Sequence, residues 1–234
     1  MLLNRTVTFV TGTLAASLVL AGLPAFAQIS NGTRNPAPAG DQSALIAAAK
    51  AEFPSVLAKA LSSESIAAML QQIKVAPNST PGVTNFDDVT APCDFVDTTA
   101  LRGTEQSAYF QAPGTDGGGI LNECSDFGGI DAHSPPNFLA FNNATTYTSG
   151  GVPRTPELIL VGPNRSSVSL WVSGGGTPGY PLAVAALSPG GVQGIVTTVT
   201  TSQWVQLTIA GTGISAIALV GNPQVLLVDD IQAQ

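Results

Sequence analysis

Hydrophobic positions along this chain change their spacing near Phe86, and the change divides it into two kinds of structure. Ahead of that point, Leu45, Ala49, Phe53, Val56, Leu57, Ala60 and Leu61 recur three or four residues apart, the signature of one helical face. Asp41 or Ser43 is placed to cap the start. Pro54 falls inside the pattern and predicts either a kink or the first turn of a new helix. Ser62 and Ser63 offer a second cap, after which Ile66, Met69, Leu70 and Ile73 mark one face of a second short helix. The spacing therefore predicts a helical hairpin over residues 41–75, followed by a linker over 76–85. Helices this short are marginal in water on their own. Their apolar stripe is expected to pack on the rest of the domain, with a partner protein chain as the alternative.

From Phe86 onward the period becomes two. Val168, Leu170 and Val172 alternate cleanly with polar neighbours between Ser167 and Ser173. The pattern continues through Leu182–Leu187, Ile195–Val199, Val205–Ile209, Ile214–Val220 and Val225–Ile231. Gly174-Gly175-Gly176, Pro189-Gly190-Gly191, Gly211-Thr212-Gly213 and Gly221-Asn222-Pro223 are read as the turns between these strands. Short strands at near-constant spacing predict an antiparallel sandwich or barrel. The stretch from Phe86 to Pro156 is more irregular and rich in loops.

The remaining segments bound where such a chain works. Arg5, the apolar run Leu14–Leu23 and the small-x-small triplet Ala25-Phe26-Ala27 together read as a signal peptide over residues 1–27, cleaved before Gln28. Residues 28–40 are polar and proline-bearing, a flexible leader. Removing Arg5 leaves seven basic and fifteen acidic residues, a net charge of −8. That balance argues against nucleic acid as a partner, and no membrane insertion is expected after cleavage. The expected location is secreted or periplasmic. Cys93 and Cys124 in an exported chain read as a disulfide. Two cysteines and one histidine are too few for a structural zinc site.

Two acidic phrases bracket the β-rich part: Phe86-Asp87-Asp88-Val89 opens it and Val228-Asp229-Asp230-Ile231 closes it. Between them, Ser134-Pro135-Pro136-Asn137-Phe138-Leu139-Ala140-Phe141-Asn142, the strand Val168-Ser169-Leu170-Trp171-Val172 and the Trp-led Trp204-Val205-Gln206-Leu207 follow in order. In this order the phrases resemble secreted bacterial jelly-roll domains of the galactose-binding-like and carbohydrate-binding-module-like kind. The resemblance covers residues 86–234 and leaves out the helices. It implies a mainly β fold, an antiparallel jelly-roll β-sandwich preceded by the short α-helical hairpin. It also implies a structural calcium where first and last strands meet, carried over to Asp87 with Asp229 or Asp230. Strand alternation sends Asp229 and Asp230 to opposite faces, so one of the two side chains is expected to ligate.

Candidate ligand chemistry rests on few aromatics. Trp171 and Trp204 are out of phase with the aliphatic positions of their strands and are expected on the face away from the core, where an indole can stack on a sugar ring. Tyr147 and Tyr180, in glycine-rich loops, are further stacking candidates. The stretch Phe86–Asp131 holds nine acidic residues and one basic residue, Arg102. Asp116, Glu123, Asp126 and Asp131 within it read as a solvated acidic loop or a second cation site. His133 reads as a loop residue, because adjacent Asp131-Ala132-His133-Ser134 do not converge as a catalytic triad must. No nucleophile elbow or phosphate-binding glycine loop is present. The sequence thus points to a non-catalytic binding protein for extracellular carbohydrate. A structural or adhesive protein and a polysaccharide hydrolase or lyase stand as alternatives.

Overall fold

The computed structural model describes residues 42–74, 81–93, 101, 103–111, 118–142, 156–221 and 223–234. The signal peptide and leader read from the sequence, Tyr147, Arg102 and Asp116 lie outside them.

Two helices come first, α1 (Gln42–Ala60) and α2 (Ser63–Lys74). Pro54 sits within α1 and does not end it. Ser62 caps α2, its hydroxyl accepting from the Ser65 N–H at 3.3 Å, which satisfies one of the unpaired donors of the first turn. Ten strands follow: β1 (Gly82–Thr84), β2 (Gly103–Glu105), β3 (Ala108–Gln111), β4 (Gly119–Asn122), β5 (Asn137–Asn142), β6 (Glu157–Ser173), β7 (Pro181–Ser188), β8 (Gly191–Val199), β9 (Val205–Gly221) and β10 (Val225–Ala233). They pair antiparallel throughout, in the order β4-β5-β10-β6-β9-β7-β8, with β1 beside β10 and β3 beside β6.

The long strands β6 and β9 explain how one continuous sheet becomes two layers. The first half of β6 pairs with the second half of β9 (Leu160 with Ala216), and the second half of β6 with the first half of β9 (Val168 with Ile209). Between these stretches the register shifts on both sides of Arg165, and Gly162, Asn164 and Gly213 take left-handed backbone conformations. Such bulged corners let a strand leave one layer and enter the other. Gly211-Thr212-Gly213 is accordingly a bend within a single strand, where the sequence pattern predicts a turn between two. One layer is β3, β8, β7 and the facing halves of β6 and β9; the other is β4, β5, β10, β1 and the remaining halves. The fold is an antiparallel β-sandwich of jelly-roll type with two helices on one side.

Three apolar layers result. The inter-sheet core joins Phe86, Phe110, Phe141, Ile159, Leu170, Leu182, Leu219 and Val228, all buried. Outside the first layer, the helices lie over Ala183, Ala185, Ala216, Ala218 and Val220. These small side chains let Phe53, Val56, Leu57 and Met69 approach the sheet closely. The hairpin's apolar stripe thus packs on its own sheet, as the sequence favours, while Ala47, Lys50, Ala51, Glu52 and Lys59 face solvent. Outside the second layer, the segment 123–136 lies over Phe138, Ala140, Val225 and Leu227, contributing Phe127, Ile130 and Ala132. Among the described residues no helix is long and apolar enough to cross a membrane.

Candidate functional site

The uncovered part of the second layer carries the candidate site. Register fixes which side chains share its outer face: Trp171 lies opposite Gln206 and Asp229, Ser169 opposite Thr208 and Gln232, and Gln232 opposite Val83. Val168, Leu170, Val172, Leu207 and Ile209 point the other way into the core. Beyond the Trp171–Asp229 pair, what faces outward is a row of uncharged hydroxyls and amides with Val83 at its edge. Gln206, Thr208 and Val83 are exposed, and Ser167, Ser169 and Gln232 half-buried. The segment 130–136 closes one end of this row.

Trp171 and Trp204 both reach that outer side, as their phase predicts, and there they meet His133. The imidazole stacks on Trp171 with ring centroids 3.9 Å apart and an interplanar angle of 21°. Trp204 meets the imidazole by its edge at 6.0 Å, and the Trp204 indole N–H donates to the Asp131 carbonyl at 2.9 Å. His133 Nδ1 lies 2.6 Å from Asp230 Oδ2. The histidine read as an isolated loop residue is therefore the centre of the aromatic cluster. Its partners lie 97 residues away at Asp230, on β6 at Trp171 and just ahead of β9 at Trp204, and no local motif announces such a contact.

A bulge builds the acidic side of the site. Asp229 still pairs with Trp171, but the next paired residue of β10 is Gln232, opposite Ser169. One extra residue resets the alternation, and Asp230 takes a left-handed conformation with φ of 46°. Val228 and Ile231 consequently both face the core. Asp229 and Asp230 do not part to opposite faces as a regular strand would place them. Both bind Ser134, whose hydroxyl donates to Asp230 Oδ1 at 2.9 Å and Asp229 Oδ1 at 3.3 Å. The Ser134 N–H donates to Asp229 Oδ2 at 3.0 Å and the Asp230 N–H to Asp229 Oδ1 at 2.8 Å. Asp229 is fully buried. Burial raises its pKa from 3.8 to about 7; the Ser134 and Asp230 N–H bonds pull it back in part, and the Asp230 charge adds to the rise.

The opening phrase arrives from the other side. Asp87 accepts from the Asn85 side-chain amide at 2.6 Å and the Asn137 N–H at 3.4 Å. The Asn137 amide in turn donates to the carbonyls of Phe86 at 2.8 Å and Val89 at 3.0 Å. This gives Ser134–Asn142 a physical role: its serine holds the closing acids and its asparagine holds the opening turn. Burial raises the Asp87 pKa, the Asn137 N–H opposes the rise, and the charges of Asp230 and Asp88 add to it. Asp87 and Asp230 therefore stand near enough to repel each other. Beside them, Glu105 is raised from 4.5 to about 7 by burial and by Asp88, which shares a hydrogen bond with it.

As a seat for calcium, the seam of Asp87, Asp229 and Asp230 offers an uneven set of donors. The oxygens of Asp229 already accept three hydrogen bonds, which makes that residue a support. Asp87 and Asp230 are the more accessible and mutually repelling pair. Among the described residues no three His, Cys, Asp or Glu side chains stand together in a metal-holding group. Glu123, Asp126 and Asp131 are spread along the covering segment, outside any such group.

Two further expectations concern residues away from this face. Tyr180 is 3% exposed, and burial raises its pKa. Its ring packs inside the molecule and is not presented to a surface ligand, a correction to the expectation that a glycine-rich neighbourhood would leave it open. Cys93 and Cys124 form a disulfide, with Cα atoms 5.1 Å apart. It ties the segment after the opening phrase to the start of the covering segment.

No family model matches the chain, and neither does any curated protein. Among solved structures, TmCBM61 in complex with β-1,4-galactotriose aligns over 68% of this chain and 99% of its own. The identity is 11% and the TM-score 0.37. The family 11 carbohydrate-binding module of the cellulosomal cellulase Lic26A-Cel5E of Clostridium thermocellum aligns over 67% and 95%, at 11% identity and a TM-score of 0.29. The similarity is to carbohydrate-binding modules. The galactotriose and the cellulase belong to those proteins.

Proposed function

We propose that this protein is an exported, non-catalytic binding protein whose ligand is extracellular carbohydrate. The observation that carries the reading is the open outer face of the second layer. There the hydroxyls of Ser167, Ser169 and Thr208 and the amides of Gln206 and Gln232 lie in register beside the Trp171–His133–Trp204 cluster. Hydroxyls and amides donate and accept without charge, which suits the hydroxyl-covered edge of a neutral glycan. Aromatic rings suit its C–H faces. One face of Trp171 is taken by His133, so the stacking surface is the composite edge of the cluster, with the imidazole as part of it. Export is supported by the N-terminal pattern and the disulfide.

A structural calcium between Asp87 and Asp230 belongs to the same reading. It is supported by the charge of Asp230, in the bulge of β10, acting on Asp87, in the turn after β1, which a dication would offset. The test of the binding claim is retention on a panel of neutral polysaccharides with calcium present. Retention on one glycan class that is lost in Trp204→Ala supports it, and an unchanged affinity in Trp204→Ala removes the cluster from the site. Chelation that leaves the melting temperature unchanged removes the calcium.

A further inference from the structure

The sandwich has an open side where its two layers end together. Among the described residues, β8 ends the first layer and pairs with β7 alone, while residues 205–210 of β9 end the second layer and pair with β6 alone. The bend of β9 closes one end of this side: a Cβ on Gly194 would meet Ile209 at 3.2 Å, and one on Gly211 would meet Gln193 at 3.0 Å. Past that point the core is incompletely sealed. Val196 and Val205 pack on the inter-sheet core and stay only half-buried. Ile195 and Val199, on the other face of β8, are 44% and 45% exposed.

An exposed strand edge carries unpaired N–H and C=O groups, and proteins commonly guard it with lysine, proline or a bulge. β8 has a bulge at its start, where Ala186 pairs with Gly194 and Leu187 with Val192, leaving Gln193 unopposed. From Ile195 to Val199 the strand is regular, paired with Ala185 through Pro181, and contains no proline and no charge. The neutrality extends beyond it: no Asp, Glu, Lys, Arg or His occurs between Arg165 and Asp229, and both edges of the open side fall within that stretch. Two copies of a chain with a net charge of −7 repel each other. This side offers an approach on which neither edge carries an acid.

The pattern of β8 also fits itself. Residues directly opposite in an antiparallel pair share a face of the sheet. With a two-fold axis at Thr197, Ile195 of one copy stands opposite Val199 of the other, and the two Thr197 side chains face each other. β-Branched side chains then line up across the pair, and Val196 gains Thr198 of the other copy as its neighbour. We propose that β8 is a self-association edge, to which a second copy of this chain adds its own β8 antiparallel about Thr197, extending the first layer across the dimer. A run this short buries less than the standard interface of about 1,600 Å², so the dimer is reversible and depends on concentration. It uses the edge of the sheet and does not depend on the carbohydrate reading.

Sedimentation velocity of the full mature protein, over about a hundredfold range of concentration, tests this. Wild type is expected to move from the mass of one chain to that of two. Thr197 is exposed, so Thr197→Lys and Thr197→Glu should each keep the wild-type melting temperature at low concentration. Each sets like charges opposite one another on the axis, and should raise the dimer dissociation constant at least about tenfold. An equal mixture of the two variants should return to the dimer mass, because lysine then faces glutamate. A wild type that keeps the mass of one chain throughout leaves the edge to another chain's strand and overturns the second copy as its occupant. A dimer that survives in both variants overturns the role of β8. Loss of the dimer in each variant without recovery in the mixture places Thr197 off the axis, and overturns the pairing as well.

Discussion

A single inserted residue decides the chemistry of the closing strand. Alternation in a strand has a period of two, so Val-Asp-Asp-Ile read as regular strand separates its acids. The bulge at Asp230 instead brings both carboxylates to Ser134 and both aliphatics to the core. Sequence alone shows the two acids but not the bulge, because the left-handed residue is an aspartate and no glycine marks it. His133 was hidden for a similar reason: its value lies in contacts made across the whole β domain. By contrast, the outward placement of Trp171 and Trp204 was legible, since phase relative to Val168, Leu170, Leu207 and Ile209 determines it.

The raised carboxyls also fix a pH response. Asp229 and Glu105 have folded pKa values of about 7, above 3.8 and 4.5. Each binds its proton more tightly in the folded state. Their contribution to stability is full below the unfolded pKa and is lost as pH rises through 7. In the presence of chelator, the melting temperature should fall between pH 5 and pH 8. Calcium added at pH 8 should recover part of the loss. Asp229→Asn should flatten the fall, at a cost of about 1–3 kcal/mol because its amide N–H₂ meets the donors of Ser134 or Asp230. Scanning calorimetry across that pH range reads both. A melting temperature flat or rising toward pH 8 in wild type contradicts the burial argument.

At the level of elements, the helices and the strands β7, β8 and β10 followed from spacing, while the short strands β1–β5 and the full length of β6 and β9 did not. Glycine-rich Gly211-Thr212-Gly213 has the composition of a turn, yet the chain continues along β9 because β6 bends with it at Gly162–Arg165. A bend shared by two paired strands is a property of the pair, which neither segment reveals alone. The covering segment depends on a second glycine contact. The Gly176 N–H donates to the Gly128 carbonyl at 2.7 Å, and Gly175 has φ of 50°, with no room for a Cβ against the Gly128 backbone. Gly175→Ala should therefore push residues 127–129 off the 174–176 turn and destabilise by about 1–3 kcal/mol. Chemical denaturation measures the loss. An unchanged midpoint would mean that the segment is not held by this contact.

For the whole molecule, the architecture assigns each outer surface a different use. Among the described residues, helices cover the first layer, the segment 123–136 covers one end of the second, and the face of β9, β6, β10 and β1 beyond it is left uncovered. The disulfide holds that arrangement from one edge. Replacing both cysteines with serine reopens a loop spanning a sequence separation of 31, which by chain entropy costs about 3–4 kcal/mol. Thermal unfolding under reducing conditions should show the same loss in wild type.

The measurement that tests the central claim most directly is the affinity of three forms of the protein for a retained glycan, by affinity electrophoresis: wild type, Trp171→Ala and Thr208→Lys. Thr208 is exposed on the open face, so the lysine folds without strain and projects a charged chain over the row. Loss of retention in both variants, with wild-type melting for Thr208→Lys, is the result predicted for a carbohydrate site on this face. Retention unchanged in Thr208→Lys, or no retention of wild type on any polysaccharide, would contradict it.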